Sequence, residues 1–255
     1  MRVANGSVCP ISNDPFTSRR QSLPSLLNLN RTVEAKALDA SKLHISTIIS
    51  QPFGENTYVV WLAGRSDCVV VDPGMEPDKI FEHLEAHGLT AAAIAITHGH
   101  SDHIAGNTAI KQRFPDCRIV IGRGDASKLT DGNENLSIPF GFEILSPAAD
   151  ELLDDGQTVE LAGMAFEVLE TPGHCAGHVS YLLKIEQPWV VLCGDVIFAG
   201  SVGRTDFPDG DFDQLVATIR TKLFTLADDT VLLSGHGPQT TVGVERRTNP
   251  FVGER

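Results

Sequence analysis

No two cysteines in this chain are spaced as CxxC. The five that exist, Cys9, Cys68, Cys117, Cys175 and Cys193, are scattered and odd in number. Such a set points to reduced thiols in a cytosolic compartment rather than to a disulfide framework. Cations are scarce as well: 20 Lys and Arg stand against 33 Asp and Glu, for a formal net charge of −13. An acidic chain without basic runs is a poor general partner for nucleic acid or for an anionic membrane, although a local patch can still take an anionic small molecule. There is no apolar stretch long enough for a membrane helix, and the start lacks the apolar core of a secretory signal. The expectation is a cytoplasmic protein with a small-molecule substrate and no nucleic-acid or membrane partner, working as a monomer or homodimer.

What is present is enough apolar material for one large domain. The chain has 255 residues, 42% of them hydrophobic. The first forty residues differ from the rest, with Arg19-Arg20, many Ser and Asn, and few acids. Residues 1–43 are therefore expected to form an extended or disordered N-terminal segment, and 44–255 the organised domain. Within it, Ile45 to Ile49 and Asn56 to Leu62 read as paired strands with Gly54 in the turn. Cys68 to Val71, Ala91 to Ile96, Met164 to Leu169, Val179 to Ile185, Trp189 to Cys193 and Val231 to Leu233 read as further strands. Asp78 to His87, Asp102 to Phe114 and Phe212 to Leu226 read as helices.

The densest chemistry lies in Thr97-His98-Gly99-His100-Ser101-Asp102-His103. Imidazole and carboxylate are the donors that hold borderline divalent metals such as zinc. Crowded neutral imidazoles gain little from one another, whereas a metal gives each lone pair a partner. The segment directly follows an apolar strand, and three later strands end in the same way. Met164–Leu169 runs into Thr171-Pro172-Gly173-His174, Trp189–Cys193 into Gly194-Asp195, and Val231–Leu233 into Ser234-Gly235-His236. If these ends share one edge of a sandwich, His98, His100, Asp102, His103, His174, Asp195 and His236 converge there. Seven donors are too many for one tetrahedral ion and suit two sharing a bridge. Asp195 is the better bridge, because it comes from a distant strand. His44, His83 and His87 lie outside these motifs and read as a solvated face. Cys175 and Cys193 read as inert packing residues.

These four strand ends, together with Val71-Asp72-Pro73-Gly74, resemble the metallo-β-lactamase superfamily over about residues 45 to 252. The resemblance implies an α/β fold, an αββα sandwich with its metals at the sheet edge. It implies one ion on His98, His100 and His174, another on Asp102, His103 and His236, and Asp195 bridging beside a water or hydroxide. The expected cofactors are two divalent ions, zinc first, with iron or manganese possible. Asp72 and His178 are expected to orient the ligands. True β-lactamases usually differ at the Asp-His pair and carry a cysteine where Asp195 stands, which disfavours lactam hydrolysis.

Thr171-Pro172-Gly173-His174-Cys175-Ala176-Gly177-His178, Gly203-Arg204-Thr205-Asp206-Phe207 and Glu245-Arg246-Arg247-Thr248-Asn249-Pro250-Phe251 resemble the short bacterial glyoxalase II-like hydrolases. That implies hydrolysis of a hydroxyacylglutathione, S-D-lactoylglutathione to D-lactate and glutathione, as in methylglyoxal detoxification. The attacking group would be a metal-bridging hydroxide, with Asp102 and Asp195 as the catalytic carboxylates. Long glyoxalase II enzymes place a helical glutathione-binding domain after the last histidine; with 19 residues following His236 here, glutathione recognition is expected to use other groups. Arg204, Thr205, Asp206, Arg246 and Arg247 are the substrate contacts expected in its place, since guanidinium matches carboxylate. Persulfide dioxygenases with a single iron carry a similar loop, and lactones are another ester class. The sequence leaves these alternatives open.

Overall fold

The computed structural model describes residue 39 and residues 42–254, so the expectation for the N-terminal segment falls almost wholly outside the described residues. The chain first lays down a six-stranded sheet in sequence order. β1 (Leu43–Ser50) and β2 (Glu55–Leu62) form an antiparallel hairpin. β3 (Asp67–Val71) adds antiparallel to β2. β4 (Thr90–Ile96), β5 (Arg118–Gly122) and β6 (Glu151–Leu153) continue the sheet in parallel. Parallel neighbours need a crossover. α1 (Pro77–Ala86) supplies it between β3 and β4, and α2 (Ser101–Ile104) with α3 (Asn107–Arg113) between β4 and β5.

The second sheet begins as the antiparallel run β7 (Thr158–Leu161), β8 (Met164–Glu170), β9 (Val179–Leu183) and β10 (Val190–Gly194). A short hairpin, β11 (Ile197–Phe198) with β12 (Ser201–Val202), and α4 (Phe212–Thr218) follow. β13 (Val231–Ser234) then returns parallel to β10, β14 (Thr240–Thr241) closes that edge, and α5 (Val242–Thr248) ends the fold.

Alternation along the strands sorts the apolar side chains into three layers. Tyr58, Val60, Val69, Val71, Ala93 and Val120 of the first sheet meet Phe166, Val168, Tyr181 and Leu192 of the second. The other face of the first sheet (Val59, Val70, Ile94, Ile119) is covered by Ile80 and Leu84 of α1 and Ile110 of α3. The other face of the second sheet (Leu182, Val191, Leu232) is covered by Leu215, Ile219, Leu223 and Val242. The result is the αββα sandwich expected from the sequence. Among the described residues no helix is long and apolar enough to cross a membrane.

Two helices differ from expectation. The single helix expected over Asp102 to Phe114 is broken between α2 and α3. There the Gly106 amide donates to the Pro73 carbonyl at 2.8 Å, and a Cβ on Gly106 would lie 2.9 Å from the Pro73 Cβ. The chain turns because it is pinned to the Asp72-Pro73-Gly74 bend. The helix expected from Phe212 to Leu226 keeps regular α geometry only to Thr218 and continues as a π-helical turn over Ile219–Leu223.

Phe166 is fully buried between the sheets and packs edge-on against Tyr181, ring centroids 6.3 Å apart. Phe166→Ala should destabilise the fold by about 3–5 kcal/mol. Urea unfolding of the metal-free protein checks this, and a loss under about 1 kcal/mol would contradict the inter-sheet core described.

Candidate metal centre

The two sheets are joined at one end by hydrogen bonds that also set the site. Thr97, which directly follows β4, accepts the Val179 amide at 2.8 Å through its carbonyl, and the Tyr181 hydroxyl donates to the Ile96 carbonyl at 2.8 Å. The Gly235 amide donates to the Gly194 carbonyl at 2.8 Å, joining the ends of β13 and β10. The last histidine loop is held by β2. The Asn56 side-chain amide donates to the Ser234 and Gly237 carbonyls at 3.0 and 2.7 Å, and the Tyr58 hydroxyl to Ser234 at 2.7 Å.

Hydrogen bonds on the outer side of three of the rings decide which nitrogen faces inward. The Thr97 hydroxyl donates to Asp72 Oδ2 at 2.6 Å, so its oxygen is free to accept from His98 Nδ1 at 3.1 Å. Asp72 Oδ2 also accepts from His103 Nδ1 at 3.1 Å. His174 Nδ1 donates to the Arg204 carbonyl at 2.7 Å. Nε2 of His98, of His103 and of His174 thereby faces into the cluster. His178 Nε2 accepts the Asp195 amide at 3.2 Å, its Nδ1 meets the Thr171 hydroxyl at 2.9 Å, and its ring stacks on His98 at 4.9 Å. His178 thus holds the backbone of Asp195 rather than facing the cavity. Gly194, at φ +46°, is needed here, since a Cβ would lie 2.7 Å from His178 Nε2.

All seven expected donors come together. His98, His100 and His174 form one compact trio, and Asp102, His103 and His236 another. His100 Nδ1 and His174 Nε2 are 2.9 Å apart, and His236 Nε2 is 3.4 Å from Asp102 Oδ2. Asp195 stands between the trios, 3.5 Å from His103 Nε2, 3.7 Å from His174 Nε2 and 3.6 Å from His236 Nε2. Donors on a tetrahedral zinc with bonds of about 2.0–2.1 Å lie about 3.3 Å apart. Several inward donor atoms are also buried without a hydrogen-bond partner: Nε2 of His98 and His103, and Oδ1 of Asp195. Buried polar atoms left unpaired are costly. A cation shared among them removes that cost, so the residues fit a metal cluster.

The electrostatics divide the histidines. Burial, reinforced by neighbouring imidazoles, pushes His98 and His178 well below the ordinary histidine value and His100 down to about 3. Burial also opposes charge on His103 and His236, but Asp102 and Asp195 outweigh it and raise both. In return, Asp102 and Asp195 are held below the usual carboxylate range, the nearby histidines outweighing their desolvation. Glu55, almost fully buried beside Thr57, is pushed well up by desolvation.

Above the cluster is a cavity of about 420 Å³ whose floor includes His100, Asp102, His174, Asp195 and His236. Its walls are largely apolar: Phe53, Leu136, Phe140, Phe198, Val202 and Phe207. Arg204 lines it too, with its guanidinium 4.1 Å from the Phe207 ring centroid and bidentate on Asp206 at 2.7 Å. Thr205 and Asp206 share that loop but do not line the cavity. Arg246 and Arg247, expected as substrate contacts, are elsewhere: both pair with Asp228, and Arg246 also donates to the Phe224 carbonyl at 3.0 Å. The carboxylate they match is the chain's own. Asn56, Tyr58, Glu55 and Asp125 were not singled out by sequence reasoning. Glu55, Asn56 and Tyr58 open β2 and Asp125 lies in a turn, with no motif to mark them.

The family model for the metallo-beta-lactamase superfamily matches residues 50–236. Hydroxyacylglutathione hydrolase GloC of Haemophilus influenzae is 34% identical, across 84% of this chain and 100% of that protein. Among solved structures, the BLEG-1 B3 metallo-beta-lactamase is 33% identical with a TM-score of 0.78, covering 83% of this chain and 100% of that one. TTHA1623 in a di-iron-bound form is 34% identical with a TM-score of 0.71, covering 81% and 99%.

The charge division predicts unequal metal uptake. His98 and His100 are neutral above their ordinary value of 6.5, so neither loses a proton on binding there. His103 stays protonated above 6.5, so its trio must expel that proton, and its affinity rises with pH until the raised pKa is passed. Calorimetric zinc titration at pH 6.5 and 7.5, in buffers of different ionisation enthalpy, should show one ion less dependent on pH than the other. The other should weaken about tenfold at the lower pH for each proton it expels, with about one to two protons released from His103 and His236. Equal pH dependence for both would contradict the division.

Proposed function

Because the chain belongs to the metallo-beta-lactamase superfamily, we propose that it is a metal-dependent hydrolase of thioesters, cleaving hydroxyacylglutathione, S-D-lactoylglutathione first, to the hydroxy acid and glutathione. His98, His100 and His174 would hold one divalent ion, and Asp102, His103 and His236 a second, with Asp195 between them. Ions held there supply Lewis acidity toward a carbonyl oxygen and lower the pKa of water. Zinc, iron and manganese all accept this donor set. The observation that carries the proposal is the convergence of seven donors, several unpaired, beneath one open cavity.

The chain's own residues do the rest. Asp102 and Asp195, both kept ionised, act as acceptors at the cavity floor and orient the attacking water. Phe140, Phe198 and Phe207 shield the reacting carbonyl from bulk water. Every titratable side chain lining the cavity belongs to the donor set or, like Arg204, stays protonated. None is left as a general acid. That favours a leaving group that departs unprotonated, and a thiolate, whose conjugate pKa is about 8.5, does so far more readily than an alkoxide. Arg204 is the lining cation able to receive a glutathione carboxylate, by exchanging Asp206 for it. The likeness to GloC supports the same thioester, and the likeness to BLEG-1 brings lactams into the test.

Purified protein should turn over S-D-lactoylglutathione, and His98→Ala should abolish turnover while leaving the fold intact. Arg204→Ala should raise KM for the glutathione thioester about three- to tenfold, with little change in kcat and none toward an uncharged thioester. Oxygen uptake on glutathione persulfide, or faster hydrolysis of a lactone or a cephalosporin, would overturn the thioester reading.

A further inference from the structure

Behind the candidate metal centre lies a buried polar network to which none of the roles above is assigned. Asp125 sits in the 3₁₀ turn Arg123–Leu129 that follows β5, and it is wholly buried. Its carboxylate accepts three hydrogen bonds and makes one ion pair. Oδ2 takes the Gly99 amide at 2.8 Å and the Cys175 thiol at 3.2 Å. Oδ1 takes the Gly177 amide at 2.9 Å and Lys128 Nζ at 3.0 Å. Lys128 reaches on to Asp209 Oδ2 at 2.6 Å, and the same oxygen accepts the Ala176 amide at 3.2 Å.

Asp125, Cys175 and Asp209 are close enough together to suggest a third cation site. The Lys128 ammonium already pairs both carboxylates, so the network is closed without a metal. Its geometry points to another role. Gly99 lies between His98 and His100, and Cys175 and Gly177 lie directly after His174. One carboxylate therefore ties together the two loops that carry the first histidine trio. Those two loops have no strand pairing with each other, since they leave different sheets. Backbone packing leaves no slack: a Cβ on Gly124 would lie 2.7 Å from the Gly177 Cα.

We propose that Asp125 is a positioning residue for the metal ion of the His98, His100 and His174 trio, setting the distance between the two loops and hence the 2.9 Å approach of His100 Nδ1 to His174 Nε2. This rests on the metal-centre part of the proposed function and is independent of the substrate. Asparagine at this position keeps the size but has one acceptor oxygen in place of two. Its NH₂ must then face donors, either the Gly99 amide or the Gly177 amide with Lys128. One loop is released while the other trio, held by Asp72 and β2, is untouched.

The test compares full-length wild type, Asp125→Asn, Asp209→Asn and Cys175→Ala, each loaded with zinc and titrated with a chelator, with metal content and thermal midpoint followed. Cobalt(II) spectra give a second readout. Asp125→Asn should lose one of two ions at a chelator concentration at least tenfold lower, the other ion following the wild-type profile, with the cobalt spectrum of the trio altered. Asp209→Asn should shift the same ion less, and Cys175→Ala should stay near wild type, because the Gly99 amide still satisfies Oδ2. If Asp125→Asn does not fold, the partly exposed Asp209→Asn decides: a wild-type profile there overturns the proposal. So does a folded Asp125→Asn that keeps both ions, or that loses both equally. Wild type that takes up no metal would sink the metal reading itself, an outcome separate from any variant resembling wild type.

Discussion

Asp72 sits at the end of β3 with a positive φ of 48°, and its buried carboxylate accepts the Thr97 amide, the Thr97 hydroxyl and His103 Nδ1. The rest of the site depends on that arrangement. It ties the end of β3 to the end of β4, fixes the tautomer of His103 directly, and fixes that of His98 through Thr97. An aspartate tolerates the left-handed backbone better than most residues, and the bend it makes also pins Gly106 and breaks the helix that follows. A single carboxylate thus converts a local bend into the orientation of two rings and the path of the next element.

The second constraint is charge. Buried imidazoles around the first trio are driven neutral, while those beside Asp102 and Asp195 are driven toward protonation. A protein without a cation must leave inward nitrogens unpaired on one side and hold protons on the other. A metal resolves both problems at once. This also explains why the site can be so densely packed with like residues at the seam of a stable sandwich: the rings of His98, His103 and His174 are satisfied outward by Thr97, Asp72 and the Arg204 carbonyl, and only their inner faces are open.

Much of this was legible in the sequence because it is locally encoded. The alternating and continuous apolar runs marked most strands, and glycine-flanked histidines at three strand ends and an aspartate at a fourth marked the edge where they meet. What was not legible depends on long-range pairing. Asp125 is one aspartate in a turn, and nothing near it in sequence shows that Gly99 and Gly177 will converge on it. Asn56 and Tyr58 look like ordinary strand residues until β2 is seen to brace the His236 loop. Arg246 and Arg247 looked like carboxylate receptors because the partner that neutralises them, Asp228, lies in a loop the motif does not include. The break in the helix after Ser101 likewise comes from Pro73, thirty-odd residues earlier.

The central claim is that the seven converging side chains hold two ions, and anomalous X-ray diffraction from crystals of the metal-loaded protein tests it most directly. The account predicts two anomalous peaks beneath the Phe140 and Phe207 wall, one among His98, His100 and His174, the other among Asp102, His103 and His236, with Asp195 between them. A single peak, or peaks away from these side chains, would contradict it.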